Sequence, residues 1–354
     1  MGVERKEESG RGESGVEDER KPFHDLFPKV RVDLKEIARP VQPHLDSFEK
    51  VFRESIRSKV GLVDLVTKYI IRTKGKRVRP ILVMLSADVC GGIGEKTYRG
   101  ATLVEILHTA TLIHDDVVDE ADTRRGFASI NAMWKNKIAV LMGDYLLSRG
   151  LLLSLENDDF PFLKITSTSV RRMSEGEIHQ IQKSRKLDMD EETYLRIIGD
   201  KTASLLSTCC EIGATSATED PDWRRLLREY GENVGMAFQI RDDILDFTGR
   251  RSITGKPSGL DLSEKKLTLP LIHALKNAPR GESKEVLSTI RDGGKKMNVR
   301  RVVEFVQQYG GISYAESRAR EFAAAAVGNL SAFPESASKA SLLGFASFVI
   351  DRDK

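Results

Sequence analysis

The chain has 354 residues, 40% hydrophobic and 31% charged, with a formal net charge of +3. This is the composition of a folded protein with a sizeable core, and its charge is too weak to point to nucleic acid as a partner. Cys90, Cys209 and Cys210 form neither a metal-ligand spacing nor a disulfide framework, so a reduced, cytoplasmic setting is expected.

Residues 1–22 are mostly Glu, Arg, Lys, Ser and Gly and read as a disordered charged tail. Residues 23–354 read as a single helical domain. The opening lacks an apolar signal core, and Lys6 breaks the myristoylation pattern begun by Met1-Gly2. No stretch is expected to reach the apolar length of a membrane span. From about Pro28, apolar residues recur every three or four positions through 45–71, 78–89, 96–119, 131–155 and 160–183. The pattern resumes through 191–216, 222–247, 265–277, 299–309 and 312–350. Gly91-Gly92, Pro161, Pro221, Gly255 to Gly259 and Pro279 punctuate these runs. No alternating strands stand out. The expected fold is all-α, a bundle of long helices around a central cavity.

Two acidic clusters interrupt the apolar helices: Asp115-Asp116-Val117-Val118-Asp119 and Asp242-Asp243-Ile244-Leu245-Asp246. Helical spacing brings the three carboxylates of each cluster toward one patch. Two carboxylates about 6 Å apart repel by roughly 3 kcal/mol at an effective dielectric of about 20, and a cation reverses the sign. The donors are all hard oxygens, which favours magnesium over zinc or copper and leaves room for phosphate oxygens. Two facing clusters could clamp one diphosphate through several magnesium ions. A lone D-D-x-x-D could be only a solvated acidic face. Two copies set among Leu, Ile, Val and Phe favour the metal reading.

Basic groups accompany the acidic ones. Lys76-Arg77-Val78-Arg79-Pro80 follows Gly75 at a helix start, where backbone N–H groups and cations suit an anion. Arg124-Arg125-Gly126 lies just beyond Asp119, and arginine forks suit phosphate. The loop from Gly255 through Lys256 to Lys265-Lys266 suits a flap over phosphate. His108, two turns before Asp115, could equally be a packed side chain. Lys201-Thr202 and Gln239 are polar groups aimed at the same region, though neither is specific alone.

In order and spacing, these motifs resemble those of the trans-polyprenyl diphosphate synthases: G-K-R-V-R-P at Gly75–Pro80, D-D-V-V-D with R-R-G at Asp115–Gly126, and G-D at Gly143-Asp144. They continue with K-T at Lys201-Thr202, F-Q-I-R-D-D-I-L-D-F at Phe238–Phe247, and G-K-P-S-G-L-D-L through T-L-P at Gly255–Pro270. The resemblance implies an isoprenoid synthase-type fold, a homodimer, and magnesium bound by Asp115, Asp116, Asp119, Asp242, Asp243 and Asp246. It assigns Arg124 to the allylic diphosphate, and Lys76, Arg79, His108 and Arg125 to isopentenyl diphosphate. Lys201, Thr202, Gln239 and Lys256 would surround the allylic substrate, and Lys266 matches a basic flap position. Asp115, Asp116, Asp119, Arg124, Lys201, Asp242 and Asp243 are the expected catalytic set. Lys265 stands where the family often has glycine.

The implied reaction is head-to-tail condensation of isopentenyl diphosphate with an allylic diphosphate. Transient contact with a membrane surface is expected for release of a greasy product. A terpene cyclase would need only one substrate site and one D-D-x-x-D. A head-to-head, squalene-type synthase fits less well for similar reasons. A di-iron carboxylate bundle would need a second partner for Glu105-x-x-His108, and a non-catalytic subunit would be expected to have lost acidic ligands. In the resembling family, the fourth and fifth residues before the first Asp set product length. Here they are Thr111 and Ala110, both small, so a heptaprenyl, octaprenyl or solanesyl product of the kind used for quinone side chains is expected. A short-chain farnesyl or geranylgeranyl product is the alternative.

Overall fold

The computed structural model describes residues 33–73, 75–124, 126–248, 262, 265–292 and 298–352. The charged tail, Arg125, and Lys256 with its loop lie outside the described residues.

Asp33 caps α1 (Leu34–Ala38), and a 3-10 turn (Arg39–Val41) leads into α2 (Gln42–Ser55). Then come α3 (Gly61–Arg72), α4 (Val78–Asp88) and α5 (Glu95–Val118). A small hairpin pairs β1 (Thr123–Arg124) antiparallel with β2 (Phe127–Ala128). It is followed by α6 (Ile130–Leu155), α7 (Phe160–Lys186) and α8 (Glu191–Ile198), then by a π-helical turn (Gly199–Ala203) that runs into α9 (Ser204–Ala217). The chain continues through α10 (Pro221–Thr248), α11 (Leu269–Asn277), α12 (Arg280–Asp292), α13 (Val299–Gln308), α14 (Gly311–Asn329) and α15 (Ala337–Asp351).

The fold is all-α, as the periodicity implies, with several departures. The apolar run 45–71 breaks after Ser55. Tyr145 and Arg149 of α6 donate to the freed carbonyls of Arg57 (2.8 Å) and Ser55 (2.6 Å), so distant hydrogen bonds end a helix that the pattern would continue. The run 312–350 breaks between Asn329 and Ala337, where Ser336 caps the new helix by accepting from Lys339 N. Helix α12 is charge-rich and buries only Val286 and Ile290, which hides its periodicity.

The membrane-span expectation needs correcting. Helix α6 is long and apolar enough to cross a membrane by length and composition, with 33% of its most apolar window buried. Its backbone is broken at Lys135 (φ 71°, ψ 159°), so it is not one continuous rod. Its apolar residues serve two faces. Ala139, Met142 and Leu146 are buried, whereas Met133, Leu141 and Leu155 are exposed.

The core forms where α5 packs on α4, α6 and α9, and where α10 packs on α9 and α14. Phe48, Leu82, Met84, Ile106, Leu146 and Phe162 are fully buried. Burial of each such side chain stabilises by about 1.5–3 kcal/mol. This packing holds α5 and α10, which carry the acidic clusters in their C-terminal turns. The helix dipole is negative there, so carboxylates at that end add to a field that attracts cations.

Candidate active site

In the first cluster the middle carboxylate is buried and held. Asp116 is 4% exposed, and Arg124 Nε donates to its Oδ1 at 2.6 Å. Arg124 is presented by β1, and Gly126 (φ 80°) lets the chain reverse into β2. Asn131 Nδ2 donates to the carbonyls of Asp116 (3.2 Å) and Ala121 (3.1 Å), fixing the hairpin to the end of α5. Asp115 and Asp119 keep solvent-facing surface. Loss of solvation nevertheless raises the Asp115 carboxyl above its usual value. Lys201 pulls it down, and Glu177 and Asp119 push it up.

In the second cluster the middle carboxylate is again buried and held. Asp243 (3% exposed) accepts from Tyr194 OH at 2.7 Å and from Gln239 Nε2 at 2.8 Å. Thr202 Oγ1 donates to Gln239 Oε1 at 2.9 Å, which extends the chain of bonds into the π turn. Asp242 accepts from Arg352 Nη2 at 2.7 Å. That guanidinium also lies 3.7 Å over the Phe238 ring, and Arg241 donates to the Arg352 carbonyl at 3.1–3.2 Å. Asp246 is 1% exposed.

Lys201 links the two halves. It lowers the Asp115 carboxyl, and it lines a cleft with Thr202, Gln239, Asp243 and Lys266. It pairs with Glu177 and donates to Gln180 at 3.3 Å. Its placement depends on the π turn, which swings Lys201 and Thr202 out of the register an α-helix would impose. Arg172 pins that turn through Asp200 (2.7 Å), the Gly199 carbonyl (3.3 Å) and Glu232 of α10 (2.7 Å). Gly176 permits the approach: a Cβ there would sit 3.0 Å from Asp200 Cβ and 3.1 Å from Lys201 N.

A second cleft gathers His108 (8% exposed), Asp116 and Arg124 with Arg77 and Glu105. Lys76 is exposed, and Arg79 is half-buried close enough to Cys209 to lower that thiol's raised pKa. Neither cleft is lined by Lys76, Arg79, Ala110 or Thr111. Ala110 is buried (3% exposed), and the Thr111 hydroxyl donates to the His108 carbonyl at 2.9 Å.

Sequence reading missed Tyr194, Glu177, Gln180, Arg172 and Arg352. Only Glu177, directly after a helical glycine, carries a local signal. The others act across 21 to 110 residues of chain, where no spacing rule reaches.

Among the described residues, no group of three or more His, Cys, Asp or Glu side chains could hold an ion on its own. The donor chemistry still suits a divalent cation. Asp115 is a partly desolvated carboxyl pushed up by Glu177 and Asp119, and the available ligands are carboxylate oxygens.

Residues 61–307 match the polyprenyl synthetase family model. The chain is 39% identical over 325 residues to the all-trans-nonaprenyl-diphosphate synthase (geranyl-diphosphate specific) of Rhodobacter capsulatus, covering 91% of this chain and 99% of that one. Among solved structures it is similar to a decaprenyl diphosphate synthase from Rhodobacter capsulatus, with a TM-score of 0.85 and 31% identity over 90% of this chain and 99% of that one. It is also similar to a polyprenyl synthase from Caulobacter crescentus CB15 complexed with calcium and isoprenyl diphosphate, with a TM-score of 0.84 and 31% identity over 92% and 100%. Enzymes of this family use a divalent metal and bind isopentenyl and allylic diphosphates. This chain belongs to the polyprenyl synthetase family of trans-prenyltransferases.

Proposed function

We propose that this enzyme condenses isopentenyl diphosphate with an allylic diphosphate to build an all-trans heptaprenyl, octaprenyl or solanesyl diphosphate for a quinone side chain. The observation that carries the length assignment is Ala110, which is small and 3% exposed beside Thr111. By resemblance to the family, a bulky group at this position would stop chain growth early. Mass spectrometry of products from farnesyl and isopentenyl diphosphates tests it. Ala110→Tyr should move the product to farnesyl or geranylgeranyl length while chemistry continues. An unchanged long product would remove the ruler from this position.

Asp115, Asp119 and Asp242 offer the carboxylate oxygens for magnesium, with Asp116, Asp243 and Asp246 completing the two clusters. Three magnesium ions bound there would neutralise the departing diphosphate as its charge develops. The protein's own groups supply the rest. Arg124 is held by Asp116 and directs its remaining N–H groups to the allylic diphosphate, with Lys201 and Lys266 from the other side. Arg125 would join the isopentenyl diphosphate site and Lys256 the allylic one; both lie outside the described residues. Lys201 must exchange Glu177 and Gln180 for phosphate oxygens when substrate enters. Lys76, Arg79 and His108 hold isopentenyl diphosphate so that its double bond faces the allylic carbon, which is catalysis by proximity. The oxygens of Thr202 and Gln239 face the developing carbocation, and the released diphosphate takes the proton.

The enzyme works as a homodimer whose subunits meet on the open face of α6. Met133, Val140, Leu141, Leu151, Leu152 and Leu155 are all exposed there, more apolar surface than one helix normally shows to water. Light scattering of Leu141→Glu should return a monomer, and an unchanged dimer would exclude this face. Cys90, Cys209 and Cys210 are buried and free, which accords with a reducing, cytoplasmic setting. Residues 23–354 act as one domain behind the charged tail, and product leaves by brief contact with a membrane surface.

A further inference from the structure

Arg77 lies between two residues assigned to isopentenyl diphosphate, yet its side chain turns into the protein. Only 10% of that side chain is exposed. Its guanidinium lies 5.2 Å from the Phe48 ring and 5.4 Å from the Phe52 ring, both on α2. It also sits between two carboxylates, Glu49 of α2 at 3.5 Å and Glu105 of α5 at 3.8 Å. The inward turn is imposed by the backbone. Arg77 is the N-cap of α4 and adopts φ 58°, ψ 28°, a left-handed conformation that a non-glycine residue takes at a cost of about 1–2 kcal/mol. Strain of this kind persists only when surrounding contacts over-determine it.

The placement of the two carboxylates gives the contact its meaning. Glu105 stands one helical turn before His108 on α5, and both line the same cleft as Arg77. Arg77 therefore joins three elements: the basic loop carrying Lys76 and Arg79, helix α2, and the helix carrying His108. The two carboxylates pair with the guanidinium by charge rather than by hydrogen bonds, its Nε and Nη1 being buried without hydrogen-bond partners, and the two rings cover it. The guanidinium is a good strut, because it is planar and always charged.

We propose that Arg77 is a positioning residue that sets the distance between the Lys76/Arg79 loop and His108, and so pre-forms the isopentenyl diphosphate subsite. It touches neither substrate. This inference rests on the assignment of Lys76, Arg79 and His108 to that substrate.

Arg77→Met keeps an unbranched side chain to fill the space beside the rings and removes the guanidinium and its charge. Arg77→Lys keeps the charge and removes the planar fork. Glu105→Gln weakens the link to α5 without touching the loop. Each is measured for KM and kcat with both substrates, for melting temperature, and for metal-free binding of isopentenyl diphosphate by calorimetry. The expected result is about a 10-fold rise in KM and Kd for isopentenyl diphosphate in Arg77→Met. A smaller rise is expected in Glu105→Gln and partial rescue in Arg77→Lys, with the allylic KM within twofold of the parent. A lowered melting temperature with unchanged isopentenyl KM would overturn the proposal and leave Arg77 a stability residue. Equal changes for both substrates would overturn it as well. Should Arg77→Met fail to fold, Glu105→Gln decides alone. Arg79→Ala serves as the control on the underlying assignment. If that variant leaves the isopentenyl KM unchanged, the subsite assignment itself has failed, separately from the role of Arg77.

Discussion

The two acidic clusters share one five-residue pattern but differ electrically. The first ends a helix beside a hairpin, keeps Asp115 and Asp119 facing solvent, and leaves Asp115 crowded by Glu177 and Asp119. The second is largely satisfied from within. Arg352 occupies Asp242, Tyr194 and Gln239 occupy Asp243, and Asp246 is buried. Both bury the middle aspartate as an acceptor, so an identical motif yields one aspartate that orients neighbours in each cluster. They diverge in their outer carboxylates: Asp115 and Asp119 face solvent, whereas Asp242 is paired with Arg352 and Asp246 is buried. Motif identity therefore does not mean equal readiness for a cation.

The largest expected effect tests what the clusters share. Asp115→Ala and Asp242→Ala should each lower kcat by about 10²–10³, the scale on which removing transition-state charge stabilisation acts. Steady-state turnover measures this, and near-normal rates in both would end the two-cluster account. The same pair should separate in thermal stability without metal. Asp242→Ala leaves the Arg352 guanidinium, only 10% exposed, without its carboxylate and should melt lower. Asp115→Ala removes a carboxylate whose lost solvation outweighs its attraction to Lys201, and should not melt lower. Equal melting temperatures would erase the contrast.

A middle-sized effect concerns the buried middle aspartates. Tyr194→Phe removes a donor to Asp243 and should cost about 1–3 kcal/mol in denaturant unfolding, the penalty for a buried acceptor that loses a partner. Arg124→Gln leaves Asp116 with a weaker donor, and its loss should appear mainly as a raised allylic KM. If Tyr194→Phe unfolds like the parent, the second cluster is not held as its geometry implies.

The smallest effect isolates charge crowding. Asp115→Asn in the metal-free protein should raise the melting temperature slightly, on the order of 1 °C, because it deletes a desolvated charge with little change in volume. Adding magnesium should reverse the ranking, since only the parent keeps that ligand. A melting temperature lowered in the metal-free state would mean that Asp115 already has compensation.

The sequence alone determined a good deal about this protein. Three- and four-residue periodicity specifies the long helices, because one face must meet the core whatever its partner is. The two D-D-x-x-D clusters and the order of Gly75–Pro80, Lys201-Thr202 and Phe238–Phe247 are local patterns, and they specify the family. The periodicity did not reveal the break after Ser55, which depends on donors from Tyr145 and Arg149 about 90 residues away. It also could not foresee the π turn at Lys201, which Arg172 pins from another helix.

Only the tertiary structure decided which aspartates are held and which are open. A motif records spacing along one helix, whereas the charge felt by each carboxyl comes from groups that packing brings in from elsewhere: Arg124 for Asp116, Tyr194 for Asp243 and Arg352 for Asp242. Electrostatic energy falls off with distance in space, not with separation along the chain. Identical motifs therefore became unequal only once α5 and α10 had found their neighbours.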